Sequence, residues 1–156
     1  MATTLEIWER FKTKPFGKQL FSKMLCHKAP YFGSIKPVFV ELMPGSCEVR
    51  IRKRRAVLNH IGTVHAIAMC NMAELAAGTM TDVTVPKTHR WIPKGMTVEY
   101  LNKAATELKA VAKPLGEMPL DAPGEYPVEV LVTDTGGTQV FRAKIAMWIS
   151  PKPNRT

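Results

Sequence analysis

The stretch VHAIAMCNMAELAAGTM, at residues 64–80, decides the fold of this chain. It is apolar on nearly every side when wound as a helix, and it contains neither proline nor a cluster of β-branched residues. A helix that is apolar on all sides is normally buried. About 17 residues at roughly 1.5 Å each make a rod of roughly 25 Å, which is long enough to cross a sheet. The stretch therefore predicts one long buried helix, with Glu74 as a buried carboxylate near its middle. Two roles fit such a carboxylate: a structural one, in which Glu74 accepts hydrogen bonds from the backbone or from Asn71, and a chemical one, as a general base or nucleophile.

Two short strands are predicted upstream of this helix. Apolar side chains alternate with their neighbours over residues 38–43 and again over residues 47–52. This alternation is typical of strands that bury one face. Pro44 and Gly45 lie between the two segments and form a turn signal. The two strands are therefore expected to pair as a hairpin.

Further strands are predicted downstream of the helix, over residues 96–102, 107–113, 128–134 and 138–150. Asp134-Thr135-Gly136-Gly137 is a good hairpin turn between the last two. Residues 82–90 are ambiguous, and the proline- and glycine-rich residues 115–127 are predicted to be a connecting loop. This order indicates the α+β class, in which a long central helix is wrapped by one curved antiparallel sheet.

Two helices are predicted ahead of the hairpin, as an N-terminal extension over residues 1–30. Thr3 and Glu6 have the spacing of a capping box, which starts the first helix. The second helix ends at Ala29-Pro30. Large apolar side chains recur along this segment, at Phe16, Phe21, Met24 and Leu25. They could line or cover a pocket, or they could form a packed helical face, and the pattern allows both.

The size and charge of the chain narrow its class. Its 156 residues favour a single domain over residues 1–156, with a flexible polar tail at residues 151–156. Lys and Arg number 22 and Asp and Glu 13, which gives a net charge of +9. This charge concentrates anions near the surface, so nucleic acid, anionic lipid and phosphorylated cofactors such as coenzyme A are candidate partners. The basic runs lack interleaved aromatic residues and any known reader motif, so we expect no nucleic-acid partner.

The cysteines and the first residues indicate a compartment. Cys26, Cys47 and Cys70 are odd in number and have no CxxC spacing, as expected of reduced thiols inside a cell. Residues 1–10 do not have the basic start and apolar run of a signal peptide, and no apolar stretch has the length of a membrane span. The histidines show no metal-ligand spacing. We therefore expect a cytoplasmic protein with no metal and no membrane partner.

The segment NHIGTVH, at residues 59–65, leads into the long helix. A helix N-terminus presents free backbone N–H groups and the positive end of the helix dipole. Pointed at a substrate carbonyl, these groups form an oxyanion hole. Gly62 would let the chain turn sharply here. A capped helix start with incidental histidines explains the same residues without any chemistry.

The pattern N-x-x-G-x-x-H at Asn59, Gly62 and His65, followed nine positions later by Glu74, resembles a known family. It is similar to the hotdog-fold acyl-CoA thioesterases of the phenylacetate-degradation and 4-hydroxybenzoyl-CoA types, and above all to their poorly characterised members. The resemblance implies a hotdog fold and hydrolysis of acyl-CoA thioesters without a further cofactor. It implies that Glu74 is the general base or nucleophile, that the N–H of Ala66 polarises the carbonyl, and that His65 and Asn59 position the reactants.

The spacing of His65 and Glu74 bears on where such a site forms. Nine residues of helix are about 2.5 turns, so the two side chains point to opposite faces and lie roughly 13 Å apart along the axis. They cannot meet within one helix. A symmetric homodimer or homotetramer with sites between its subunits, as in the resembled family, brings Glu74 of one protomer to the helix start of the other.

Two departures from the family pattern keep a second function open. The family usually has His-Gly-Gly, whereas this chain has His65-Ala66-Ile67, which narrows the approach to the Ala66 N–H. The residues Trp91-Ile92-Pro93 likewise lack the hydroxyl that some members place after the helix. The alternative is a non-catalytic protein of the same fold that binds acyl-CoA or a fatty acyl group.

Two basic groups are candidates for contacts with coenzyme A. By strand alternation, Arg50, Arg52 and Arg54 share one face, and forked guanidinium donors suit phosphates. Arg90 belongs to a second group with Lys87, His89 and Lys94. A solvated, purely structural face explains either group equally simply.

Overall fold

The computed structural model describes residues 2–153. These residues form three α-helices, six strands and two short 3-10 helices, in the order α1 (Thr4–Phe11), α2 (Gly17–Lys28), a first 3-10 helix (Pro30–Ile35), β1 (Val38–Met43), β2 (Ser46–Ile51), a second 3-10 helix (Arg55–Val57), α3 (Ala66–Thr84), β3 (His89–Tyr100), β4 (Leu108–Pro114), β5 (Gly124–Thr133) and β6 (Gln139–Pro151). Within the described residues, no helix is long and apolar enough to cross a membrane.

The six strands form one antiparallel sheet in the order β1-β2-β4-β5-β6-β3. Helix α3 contacts every one of these strands, so the sheet curves around it. Ala73, Ala76 and Ala77 are fully buried, and these small side chains let the helix lie close to the sheet. The predicted α+β arrangement, with a long helix wrapped by a curved antiparallel sheet, is confirmed.

The sheet contains the predicted hairpins, but β3 starts at His89 instead of residue 96. A β-bulge between Pro93 and Gly95 shifts the pairing with β6 by one residue and breaks the period-two pattern on which the prediction rested. Proline is tolerated here because β3 is an edge strand. Strand β5 also begins early, at Gly124, so the predicted loop over residues 115–127 is shorter than expected.

The N-terminal extension packs on β1 and on α3. Thr3 and Glu6 form the predicted capping box at the start of α1. Trp8 of α1, Phe21 of α2 and Phe39 of β1 stack edge to face, with ring centroids 5.1 and 5.2 Å apart. Phe21 therefore belongs to the packed core.

The first residues of the predicted flexible tail belong to the fold. Pro151 is the last residue of β6. The backbone N–H of Lys152 donates to the carbonyl of Thr88 at 2.9 Å, and its ammonium donates to the carbonyl of Lys87 at 2.8 Å. Residues 154–156 of the predicted tail lie outside the described part of the chain.

Candidate active site

Asn59 holds together the loop that leads into α3. Its side-chain carbonyl accepts from the backbone N–H groups of Ile61 and Thr63, both at 3.1 Å. Its amide donates to the Thr63 hydroxyl at 2.8 Å. Gly62 has a φ of 77°, in the left-handed region that glycine adopts without strain, as its predicted sharp turn requires. The amide of Asn59 is thus directed into the loop itself.

His65 caps the N-terminus of α3. Its Nδ1 accepts from the backbone N–H of Ile67 at 3.0 Å, so in the neutral ring Nε2 carries the proton. The N–H of Ala66 has no acceptor among the described residues. The imidazole is exposed, and a cavity of about 200 Å³ opens beside it, against the first 3-10 helix. This end of α3 offers the Ala66 N–H and one imidazole donor to a bound group.

Glu74 is exposed in the single chain, so the prediction of a buried carboxylate is wrong at the level of one protomer. Nor does Asn71 satisfy it, since the Asn71 amide donates to the Ser34 hydroxyl at 3.1 Å. Within residues 2–153, Glu74 has neither a hydrogen bond from its side chain nor an ion pair. Its carboxylate is free to act on another molecule.

A cavity of about 260 Å³ lies beside Glu74, between α3, the end of α2 and the start of β3. We call it the Glu74 cavity. Most of its wall is apolar, contributed by Leu25, Ala29, Phe32, Leu75, Gly78, Trp91 and Pro93, and its polar lining residues are Thr4, Lys28, Glu74, Thr79 and Asp82.

The site residues predicted from the sequence fall into two groups. Asn59, Gly62, His65 and Ala66 lie together at the N-terminal end of α3. Glu74 lies more than two turns further along the same helix, roughly 13 Å away along the axis. One protomer alone does not bring the carboxylate and the backbone donor together.

An uncovered apolar surface surrounds Glu74. Ile67 and Cys70 share its stripe on α3, and Ile67 is 55% exposed. On β3, Met96 and Tyr100 pair with Ile145 and Phe141, so they share the sheet face that packs on α3. They are nevertheless 38% and 56% exposed, because α3 does not reach over them. We call the surface formed by Ile67, Cys70, Glu74, Met96 and Tyr100 the open face.

Arg50, Arg52 and Arg54 do not share the predicted strand face, because β2 ends at Ile51. Arg50 points away from α3 and pairs with Glu48 at 3.0 Å. Arg52 is exposed beyond the strand. Arg54 turns inward and donates to the backbone carbonyl of Ser34. The three guanidinium groups therefore have three different surroundings.

The second basic group divides between the outer face of β3 and a cavity. Arg90 donates to the Ser150 hydroxyl at 3.2 Å, and Lys94 lies 3.7 Å above the ring of Trp148, both on the outer face. Lys87 and His89 instead line a second cavity of about 410 Å³, which we call the basic cavity. Among the described residues, no cluster of His, Cys, Asp or Glu is placed to hold a metal ion.

Sequence reasoning missed part of the Glu74 cavity. Gly78 and Asp82 follow Glu74 at intervals of four residues, and this helical spacing signals a shared stripe. Trp91 carried no such signal, because the bulge obscured the strand to which it belongs.

Comparisons with known proteins place this architecture. Residues 17–149 match the family described as Domain of unknown function (DUF4442). The solved structural-genomics target APC5556 is 49% identical, with a TM-score of 0.82, and the match covers 97% of this chain and 100% of that chain. None of the curated protein sequences matches this chain.

More distant solved structures share the fold. A thioesterase from Haemophilus influenzae has a TM-score of 0.75 at 9% identity, covering 91% of this chain and 97% of that chain. A thioesterase family protein from Silicibacter pomeroyi has a TM-score of 0.70 at 14% identity, covering 88% and 100%. The predicted hotdog fold is thereby confirmed. The chain belongs to the DUF4442 family, and its fold is the hotdog fold of these thioesterase structures.

Proposed function

We propose that this protein hydrolyses acyl-CoA thioesters at a site formed between two copies of the chain. The observation that carries the proposal is Glu74, a carboxylate without a partner in the described chain, beside an apolar cavity. The free Ala66 N–H at the start of the same helix supplies the second element that thioester hydrolysis requires. The fold shared with thioesterase structures agrees with this chemistry.

The open face supports a homodimer. Strand β3 is a long edge strand, and among residues 2–153 its free edge has no partner strand. Long apolar edges are normally covered. Two copies related by a twofold axis would pair their β3 edges and set their α3 helices antiparallel. Glu74 of one protomer would then lie near the partner subunit's Ala66. This arrangement would bring the two ends of the site together, although His65 and Glu74 lie roughly 13 Å apart along one helix.

The chemistry follows from these two groups. Glu74 takes a proton from water as the water oxygen attacks the thioester carbonyl carbon. The N–H of Ala66 in the partner stabilises the negative oxygen of the tetrahedral intermediate. The intermediate then collapses to a carboxylic acid and breaks its bond to the sulfur of coenzyme A. The departing thiolate takes the proton that Glu74 holds, which restores the Glu74 carboxylate. If Glu74 instead attacks the carbonyl directly, water hydrolyses the resulting anhydride and the products are the same.

His65 and Asn59 act around these groups. With Nδ1 occupied by the Ile67 N–H, the Nε2–H of His65 is available to a carbonyl or a water molecule. Asn59 acts indirectly, because its side chain sets the loop from which His65 and Ala66 follow. We therefore propose that His65 contacts the reactants directly and that Asn59 holds the loop that positions His65 and Ala66.

Non-catalytic binding of acyl-CoA is the second candidate. Ile67 is 55% exposed next to Ala66, where the resembled thioesterases have glycine. Its side chain narrows the approach of a thioester to the Ala66 N–H. A protein that binds acyl-CoA without turnover would carry the same cavity and the same dimer.

Thiol release from short-, medium-, long-chain and aryl acyl-CoA substrates tests the proposal. Glu74→Gln is expected to lower kcat/KM by about 10²- to 10⁴-fold, the usual contribution of a general base. Glu125→Gln is the matched control, because Glu125 is exposed on the outer face of β5, and it is expected to change kcat/KM less than twofold. Binding of acyl-CoA without thiol release by the unaltered protein would instead support the non-catalytic candidate.

A mixing experiment tests the intersubunit site. Ala66→Pro removes the N–H at the first helical position, where proline is tolerated, and His65 already has φ −63° and ψ 139°, which suit a residue before proline. Ala66→Pro and Glu74→Gln should each be inactive as homodimers. Unfolded and refolded together, they should recover about a quarter of the original activity, because half of the dimers are mixed and each has one intact site. No recovery, with mixed dimers formed, would place both groups in one protomer.

A further inference from the structure

The N-terminal extension and the segment after it close one side of the Glu74 cavity. Leu25 near the end of α2 and Phe32 of the first 3-10 helix line the cavity opposite Leu75 and Gly78 of α3. Ala29 lies between them in sequence and also lines it. Residues ahead of the sheet thus complete a pocket that α3 and β3 would otherwise leave open.

The far wall of the Glu74 cavity is shared with the basic cavity. Thr4, Lys28, Asp82 and Trp91 line both, so they form the partition between them. Asp82 holds this partition together, because its carboxylate accepts from the Thr4 hydroxyl at 2.7 Å and from the Trp91 indole N–H at 3.4 Å.

The indole of Trp91 is packed directly on α3. A Cβ added at Gly78 would lie 3.0 Å from Cη2 of Trp91, closer than ordinary contact. The absence of a side chain at Gly78 therefore allows the ring to lie across the end of the cavity. Beyond the ring, the basic cavity has apolar wall residues as well, namely Leu5, Val83, Val85 and Pro86.

The size of the Glu74 cavity limits what it can hold. An apolar cavity of about 150 Å³ takes one benzene ring, so a cavity of about 260 Å³ suits roughly ten carbon atoms. From Glu74 to Asp82 the helix rises about 12 Å. A thioester carbonyl held at Glu74 would therefore direct a medium-length chain along α3 until it met Trp91.

We propose that the Glu74 cavity binds the acyl chain of the substrate and that Trp91, held by Asp82, sets the maximum length of that chain. This inference rests on the proposed function for the position of the thioester. It assigns the N-terminal extension a role in substrate selection, through Leu25. Trp91 is a specificity-determining residue and takes no part in the reaction itself.

Hydrolysis of decanoyl-CoA and palmitoyl-CoA tests the role of Trp91. The unaltered protein is expected to prefer decanoyl-CoA. Trp91→Ala should raise the ratio of kcat/KM for palmitoyl-CoA over decanoyl-CoA at least tenfold, because burial of two more methylene groups corresponds to about this factor. Trp148→Ala is the matched control, because Trp148 lies on the outer face of the sheet beneath Lys94, and it should leave the ratio unchanged.

A second variant keeps the test independent of Trp91 itself. Leu25→Trp fills the cavity from the opposite wall and should shift the preference toward butyryl-CoA. Both variants are checked for an unchanged dimer and cooperative unfolding. If folded Trp91→Ala and Leu25→Trp proteins keep the original chain-length profile, the cavity does not bind the chain and the inference is overturned.

Binding of S-decyl-CoA and S-hexadecyl-CoA separates this inference from the proposed function. These thioethers cannot be hydrolysed, so calorimetry reports the chain preference in the absence of turnover. If the unaltered protein binds S-decyl-CoA more tightly than S-hexadecyl-CoA, and Trp91→Ala removes this difference, the inference is supported. This holds even if no thioester is hydrolysed, and then only the proposed hydrolysis fails. If the unaltered protein hydrolyses thioesters but Trp91→Ala does not change the relative affinity for the two thioethers, the inference is overturned and the proposed hydrolysis stands.

Discussion

Side chains at the start of α3 bond mainly to the backbone around them. Asn59 accepts two backbone N–H groups, and His65 accepts one. The consequence is that the N–H of Ala66, which neither side chain occupies, remains available to a ligand as a donor. Asn59 and His65, which the resemblance assigns to the reaction, therefore serve partly to hold the loop in place.

Asn59→Ala is expected to lower the free energy of unfolding by about 1–2 kcal/mol, because it removes three hydrogen bonds from a half-buried loop. Urea denaturation measures this change. Asn102→Ala, which removes a single exposed bond to the carbonyl of Gln139, is the control and should cost less. If the two variants were equally stable, Asn59 would not hold the loop, and a direct role with the reactants would be favoured.

Among the elements, β3 combines an edge position with exposed apolar side chains. It is an edge strand that carries Met96 and Tyr100 on the face toward α3, yet both side chains stay exposed within the described part of the chain. The bulge at Lys94 separates this apolar half from Trp91, which packs on Gly78. One strand thus contributes both to the open face and to the wall of the Glu74 cavity.

Met96→Glu is expected to give a folded monomer without hydrolytic activity, because a buried unpaired charge at the dimer interface is strongly unfavourable. Sedimentation velocity measures the association state. Thr97→Glu is the control, since Thr97 pairs with Lys144 on the opposite face of the sheet, and it should remain dimeric. A Met96→Glu protein that stayed dimeric would exclude the open face as the interface.

At the scale of the whole molecule, the two-copy arrangement joins the open face, the Glu74 carboxylate and the Ala66 donor in one explanation. The Sγ of Cys70 lies on this face, 4.0 Å from the hydroxyl of Tyr100. Cys47 lies in the core, where burial raises the pKa of its thiol well above the ordinary value. Cys47 and Cys70 therefore report on different places, the core and the face at which we propose that two copies meet.

Alkylation with iodoacetamide, read by mass spectrometry, should distinguish these layers. Cys47 should remain unmodified until the protein unfolds, because its thiol is buried and a raised pKa leaves little thiolate. Cys70 should be protected in the dimer and modified in the Met96→Glu monomer. Equal modification of Cys70 in both proteins would contradict its place in the interface.

Much of the fold could be predicted from local patterns. The long apolar helix, both hairpins and the capping box of α1 follow from periodicity and turn chemistry, which act over a few residues. The start of β3 could not be predicted, because a bulge between Pro93 and Gly95 breaks the alternation and only pairing with β6 reveals the strand. The prediction that Arg50, Arg52 and Arg54 share one strand face was wrong for a similar reason, since the chain leaves the sheet after Ile51.

By itself, the sequence determined the helix that organises the molecule and the order of chemical groups along it, from Asn59 through His65 and Ala66 to Glu74. These depend on side-chain periodicity and on turn and cap residues, whose physical causes are local. Only the tertiary structure decided that Glu74 is exposed beside a cavity, that Trp91 lines this cavity, and that β3 presents exposed apolar side chains. Exposure and cavity walls depend on which distant segments meet, and no local pattern encodes that.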